Sequence, residues 1–93
     1  SATWTIIPYS ASVSLSGTNG DNQKITMTGD IDLTAPTLSA AYPTLLLQIS
    51  TGGYAVSLGG TPLIEAGSSL TYLIGWYFDG GNTKRLPVSE VVP

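Results

Sequence analysis

The chain predicts an all-β fold: an antiparallel β-sandwich of the Ig-like, Greek-key kind with seven or eight short strands, or else a small β-barrel. Three observations carry that expectation. Leu70, Tyr72, Ile74, Trp76 and Phe78 recur at every second position, the period of a strand pressing one face into a core. Turn signals follow one another every eight to twelve residues or so, as in sandwiches and barrels. The composition is 42% hydrophobic but only 10% charged, with 11 Gly and 6 Pro. It suits short strands and tight turns far better than helices.

Taken in order, residues 3–7 (TWTII) read as a short strand stopped by Pro8, because proline confines the residue before it to extended geometry. Tyr9, Ala11, Val13 and Leu15 alternate with serines, giving a half-buried strand with a hydroxyl-rich outer face. Residues 16–22 have no period and read as an exposed loop. In residues 24–33, Ile25, Met27, Ile31 and Leu33 share one face, and Gly29 in their register signals a bulge, a bend or a close approach by another backbone. Residues 34–43, bracketed by prolines, read as a single helical turn or as a crossover between sheets. Residues 44–50 begin apolar on both faces, and Gly52-Gly53 then turns the chain into Tyr54, Val56 and Leu58 as a hairpin. Gly59-Gly60 breaks that strand, and Pro62 confines the next segment to a strand start or an edge.

Residues 70–78 form the central strand. Its odd positions, Thr71, Leu73, Gly75 and Tyr77, are also largely apolar, which predicts cover on both sides. Residues 79–82 (DGGN) supply a tight reversal. The chain returns through Leu86, Pro87, Val88 and Val91, with Pro87 arguing for an edge. Ninety-three residues suit one domain, 1–93, with terminal arms at 1–8 and 86–93.

Charge and chemistry exclude several classes. The net charge is −3, and Lys24, Lys84 and Arg85 are the only cations, too few for binding nucleic acid or anionic lipid by charge. With no Cys and no His, disulfides, thiolate metal sites, imidazole bases and a hydrolytic triad of the usual kind cannot be built. No apolar run nears the roughly 20 residues that cross a bilayer, and the first residues do not read as a signal peptide.

Asp30 and Asp32 sit two apart on one strand face, where paired carboxylates could serve a glycosidase-like hydrolase. Decoration of a solvated face is the better reading. Asn19, Asp21, Asn22, Asp79 and Asn82 offer oxygen ligands without the count or spacing of a calcium loop, and turn chemistry accounts for them. No catalytic residue, cofactor or metal site is therefore expected. Trp4, Tyr42 and Tyr77 are the aromatics placed to meet a partner. They favour protein over carbohydrate, because the polar groups that orient a sugar are not clustered near them.

The segment IEAGSSLTY (64–72) resembles the "apolar–x–x–Gly–x–x–apolar" lead-in to a late strand of Ig-like and fibronectin-like sandwiches. Leu70 stands where those domains often carry Tyr, and Tyr72 follows two residues on. In its hydroxyl-rich strands, low charge and Pro-tipped ends (SATWTIIP and LPVSEVVP), the whole chain resembles the small all-β head-decoration or cement proteins of tailed-phage virions. That resemblance implies a non-enzymatic protein on the virion surface, homo-oligomeric, binding capsid subunits and stabilising the shell. Trp4, Ile6, Tyr42, Tyr77, Lys84, Arg85 and Val91 are the expected contact residues, with strand sharing by residues 3–7 and 88–92. The alternative is an adhesin-like or carbohydrate-binding module at a cell surface.

Overall fold

In the computed structural model, which describes residues 4–67 and 69–91, the alternating segments are strands and the Gly-, Pro- and Asn-rich segments between them are turns. In chain order the strands are β1 (Thr5–Ile6), β2 (Ser12–Ser14), β3 (Asn22–Thr26), β4 (Ile31–Thr34), β5 (Thr44–Ser50), β6 (Val56–Leu58), β7 (Thr61–Ile64), β8 (Thr71–Phe78), β9 (Thr83–Arg85) and β10 (Ser89–Glu90). A 3-10 turn, η1 (Gly17–Asn19), lies between β2 and β3, and no described residue is α-helical. Thr3, Ser68 and Val92, which fall within the expected terminal strands and the Ig-like segment, lie outside the described residues.

Pairing sorts the strands into two open, mixed sheets. The larger runs β1-β3-β5-β8-β10, with β9 beside β10 on the same edge of β8; the smaller runs β2-β4-β6-β7. Four pairings are parallel: β1–β3, β2–β4, β3–β5 and β4–β6. A wholly antiparallel sandwich of seven or eight strands and a closed barrel both give way to this mixed arrangement, with ten strands among the described residues. Its reason is geometric. Parallel neighbours need a long crossover between them, and here each crossover is itself a strand, contributed to the opposite sheet.

From β1 to β6 the chain thus winds as a coil, alternating sheets as strands of a β-helix do. Thr5 lies beside Gln23, Ser12 beside Asp32, Gln23 beside Leu47 and Ile31 beside Val56. β7 and β8 then run back antiparallel against β6 and β5 and end the winding.

Both sheets send their inward residues into one shared core. The larger sheet gives Ile25, Leu45, Leu47, Ile49, Ile74 and Trp76; the smaller gives Val13, Ile31, Leu33, Val56 and Ile64. Tyr72 and Phe78 pack against its margin, as the β8 alternation predicts, but Leu70, the first of that series, lies before β8 and is exposed. The alternation across residues 24–33 survives as burial, but the strand is split: β3 ends at Thr26, the chain changes sheets at Gly29, and β4 begins at Ile31. Gly29 is closely approached by a side chain and not by another backbone: a Cβ there would lie 2.6 Å from the Tyr9 hydroxyl. Residues 35–43 are the crossover and contain no helical turn. Leu38 from this segment is buried, and its N–H donates to Thr83 Oγ1 (2.9 Å).

The hairpins also differ in place. Gly52-Gly53 reverses the chain, but β5 and β6 enter different sheets and do not pair. The two-residue hairpin is instead at Gly59-Gly60, joining β6 to β7. Both glycines have positive φ (58° and 84°), as the reversal requires. At the β8–β9 turn, Asp79 Oδ1 accepts the N–H groups of Gly81 (3.0 Å) and Asn82 (2.7 Å). These bonds, that of Asn82 foremost, hold the Asp79 carboxyl below its ordinary pKa of 3.8. A depressed folded-state pKa contributes stability that is complete above the unfolded value and lost as pH falls through the folded one. Asp79→Ala should therefore matter at neutral pH and lose its effect under strong acid. Urea midpoints of both chains, measured from pH 7 down to about pH 2, check this.

Candidate functional site

Strand alternation that fills the core from one side of the larger sheet leaves the other side outward. Along its outward positions lie Ile6 on β1, Asn22, Lys24 and Thr26 on β3, Thr44, Leu46, Gln48 and Ser50 on β5, Thr71, Leu73, Gly75 and Tyr77 on β8, Lys84 on β9 and Ser89 on β10. Hydroxyls gather at the end formed by Thr26, Ser50 and Thr71, and apolar groups around Gly75. Leu86, just past β9, leans over Gly75: a Cβ at Gly75 would meet Leu86 Cδ1 at 3.1 Å and Leu46 Cδ1 at 3.7 Å. A bare glycine backbone therefore forms a shallow apolar trough between two leucines. Ile6 (70% exposed), Leu86 (49%) and Tyr77 (40%) remain open to solvent. Two-sided cover of β8 is thus corrected: among the described residues its outer side carries no second layer, and Leu86 and Leu46 shield it in part at Gly75. No outward position of the larger sheet is acidic.

The smaller sheet presents hydroxyls and an acid. Its outward residues include Ser12, Ser14, Thr34, Ser57 and Asp32. Asp30 and Asp32 do not converge as a catalytic pair. Each accepts a backbone N–H from a neighbouring segment: Ala55 to Asp30 Oδ1 (2.9 Å) and Gly60 to Asp32 Oδ1 (2.9 Å). They anchor turns, a role that neither the hydrolytic nor the solvated-face reading contained.

The expected contact residues divide among these settings. Ile6, Tyr77 and Lys84 share the outer face of the larger sheet, and Tyr77 and Lys84 are cross-strand partners. Trp4 is half-buried, with Lys24 Nζ 5.4 Å from its ring centroid, so a cation already occupies one of its faces. Arg85 stands opposite Trp76 at the sheet edge, and its Nη1 donates to the Leu86 carbonyl (3.2 Å). Val91 is half-buried and donates its N–H to Thr71 (2.8 Å). The terminal segments are edge strands on β3 and β8.

Tyr42 stands apart, in a cleft of about 350 Å3 lined by Gly17, Thr18, Gly20, Asp21, Ala41, Tyr42, Pro43 and Thr44. Its backbone is pinned by reciprocal bonds with Ser39 (3.1 and 3.2 Å), and its Cβ lies against Gly17, where an added methyl would approach to 2.8 Å. The facing wall is the η1 loop. Ser16 Oγ caps it by accepting the Thr18 N–H (3.3 Å). From beneath, fully buried Gln23 donates from Nε2 to the carbonyls of Ser16 and Gly20, both at 2.8 Å. Gln23 Oε1 has no hydrogen-bond partner among the described residues.

No protein-family model, curated protein or solved structure matches the chain.

The residues that sequence reasoning missed are those the fold brings together. Leu46 and Leu73 were legible as outward apolar positions, but their pattern is the same whether a layer covers them or not. Asp21 and Thr18 reach Tyr42 only because β3 and β5 lie side by side, which sets the loop before β3 against the segment before β5.

Proposed function

We propose that the protein is a non-enzymatic assembly module that binds protein surfaces, its own copies among them, through the outer face of the larger sheet. The supporting observation is the contrast between its two outer faces. Both carry hydroxyls, but one adds an apolar cluster of Leu46, Leu73, Tyr77 and Leu86 with Lys24 and Lys84 and no acidic residue, whereas the other adds Asp32. Apolar and aromatic side chains rimmed by charge are the composition of a contact patch. Complementary charge on the opposite face would steer and orient a partner copy.

Faces are favoured over edges. β1 has two residues, β7 contains Pro62, and the edge on β8 is interrupted at Pro87 between β9 and β10. Short, proline-bearing edges resist strand addition. The two-sheet arrangement is read as an open sandwich. The most specific form of the proposal is a cement protein on a virion surface, holding capsid subunits together. The mass of the chain in solution, followed as concentration rises, tests it. Association should grow with concentration and disappear in Leu46→Glu, which places a carboxylate in the Gly75 trough. A chain that stays monomeric throughout, or associates equally well with Leu46→Glu, overturns the reading.

A further inference from the structure

We propose that the cleft between Tyr42 and the η1 loop binds one ring of a neutral saccharide, stacked on Tyr42 with adjacent hydroxyls donating to Asp21. This rests on the cleft and not on the assembly face, so either reading can fail without the other. Tyr42 is 47% exposed, yet its backbone is held by Ser39 and its Cβ lies close to Gly17, so the ring is presented from a fixed backbone. An aromatic face carries negative charge density and attracts the weakly positive C–H face of a pyranose. Asp21 is exposed, and its carboxylate takes no hydrogen bond from any described residue, while its own carbonyl is fixed by the Leu46 N–H (2.7 Å). An ionised carboxylate only accepts, and its two oxygens match two neighbouring hydroxyl donors.

The volume, about 350 Å3, lies at the small end of ligand pockets, enough for one ring and part of a second. Ligand charge follows from the lining. No cation is present there to hold a phosphate or a carboxylate, and the one acid repels them. A cationic amine would gain from Asp21, but recognition of such groups relies on a cage of several aromatics, and Tyr42 is the only one in the lining.

The test is amide chemical-shift titration of the isotope-labelled full chain with glucose, galactose and N-acetylglucosamine, and separately with tetramethylammonium. A sugar should move the signals of Thr18, Gly20, Asp21, Tyr42 and Thr44 and saturate with a Kd on the order of 1 mM. Tyr42→Ala should weaken that binding by about tenfold or more and Asp21→Asn by several-fold, whereas Tyr42→Phe, which keeps the stacking face, should retain it. Unperturbed signals elsewhere in each variant show that the fold is kept. The proposal is overturned if no sugar saturates, if Tyr42→Ala binds as well as the parent chain, or if tetramethylammonium binds in preference to every sugar.

Discussion

Replacing Leu47 by Ala is expected to lower the stability of the chain by about 2–5 kcal/mol. Leu47 is fully buried at the centre of β5, in register with Gln23 on β3 and Ile74 on β8, so it belongs to the three most central strands of the larger sheet. Removing its isobutyl group deletes contacts that the surrounding strands cannot collapse to replace, since hydrogen bonds on both flanks hold β5 in position. Small domains have only about 5–15 kcal/mol in total, so the urea midpoint should fall steeply and the melting temperature by about 10 °C or more. The neighbouring substitution is the control. Leu46→Ala, one residue away on the outer face and half-buried, should cost roughly 1 kcal/mol or less, while reducing self-association. Equal destabilisation by both substitutions would contradict the inward–outward assignment of β5, and with it the contact face.

Much of that assignment is legible in the sequence because side-chain alternation is a local property. Val13, Ile25, Ile31, Leu33, Ile74 and Trp76 each occupy the core position their period implies. Strand partners are a different matter. A strand bounded by glycine or proline carries the same pattern whether its neighbour runs parallel or antiparallel, and the turn at Gly52-Gly53 looks from its residues like the one at Gly59-Gly60. Only the second returns a strand to its own sheet. The coil left no repeat to detect, because its turns differ in length. The paired positions Thr5–Gln23, Ser12–Asp32, Gln23–Leu47 and Ile31–Val56 are separated by 18, 20, 24 and 25 residues.

The candidate sites follow the same division. Alternation puts Tyr77 on the face of β8 opposite the core, but only the pairing of β1, β8 and β9 brings Ile6 and Lys84 onto that same face. Arg85 and Val91 could not be placed, because the edge geometry that ties their groups to Leu86 and Thr71 depends on the interruption between β9 and β10. The cleft was beyond reach for a further reason: it is assembled from two segments about twenty residues apart in sequence, whose proximity is a consequence of the parallel β3–β5 pairing.

Gln23 is where this hidden geometry can be tested most severely. Its position in the β3 alternation is an inward one, shared with Ile25, and a polar residue there looks like a fault in the apolar pattern. In the fold its amide supplies two donors to carbonyls on either side of η1, Ser16 and Gly20, and so fixes one wall of the cleft. Gln23→Glu keeps the shape and removes both donors. At neutral pH an ionised carboxylate would be buried facing two carbonyl oxygens, which costs several kcal/mol unless the group takes up a proton. Burial and the missing donors raise its folded-state pKa above the unfolded value. The ionisation penalty is then absent below the unfolded pKa and grows as pH rises. Gln23→Glu should consequently be destabilised by about 3 kcal/mol or more at pH 7 and recover a large part of that near pH 4, where the parent chain shows no such gain. Gln23→Leu, which cannot ionise, should lose about 1–3 kcal/mol with no comparable pH dependence. Equal stability of Gln23→Glu at both pH values would mean that the side chain can reach solvent, and the tether beneath the η1 loop would have to be abandoned.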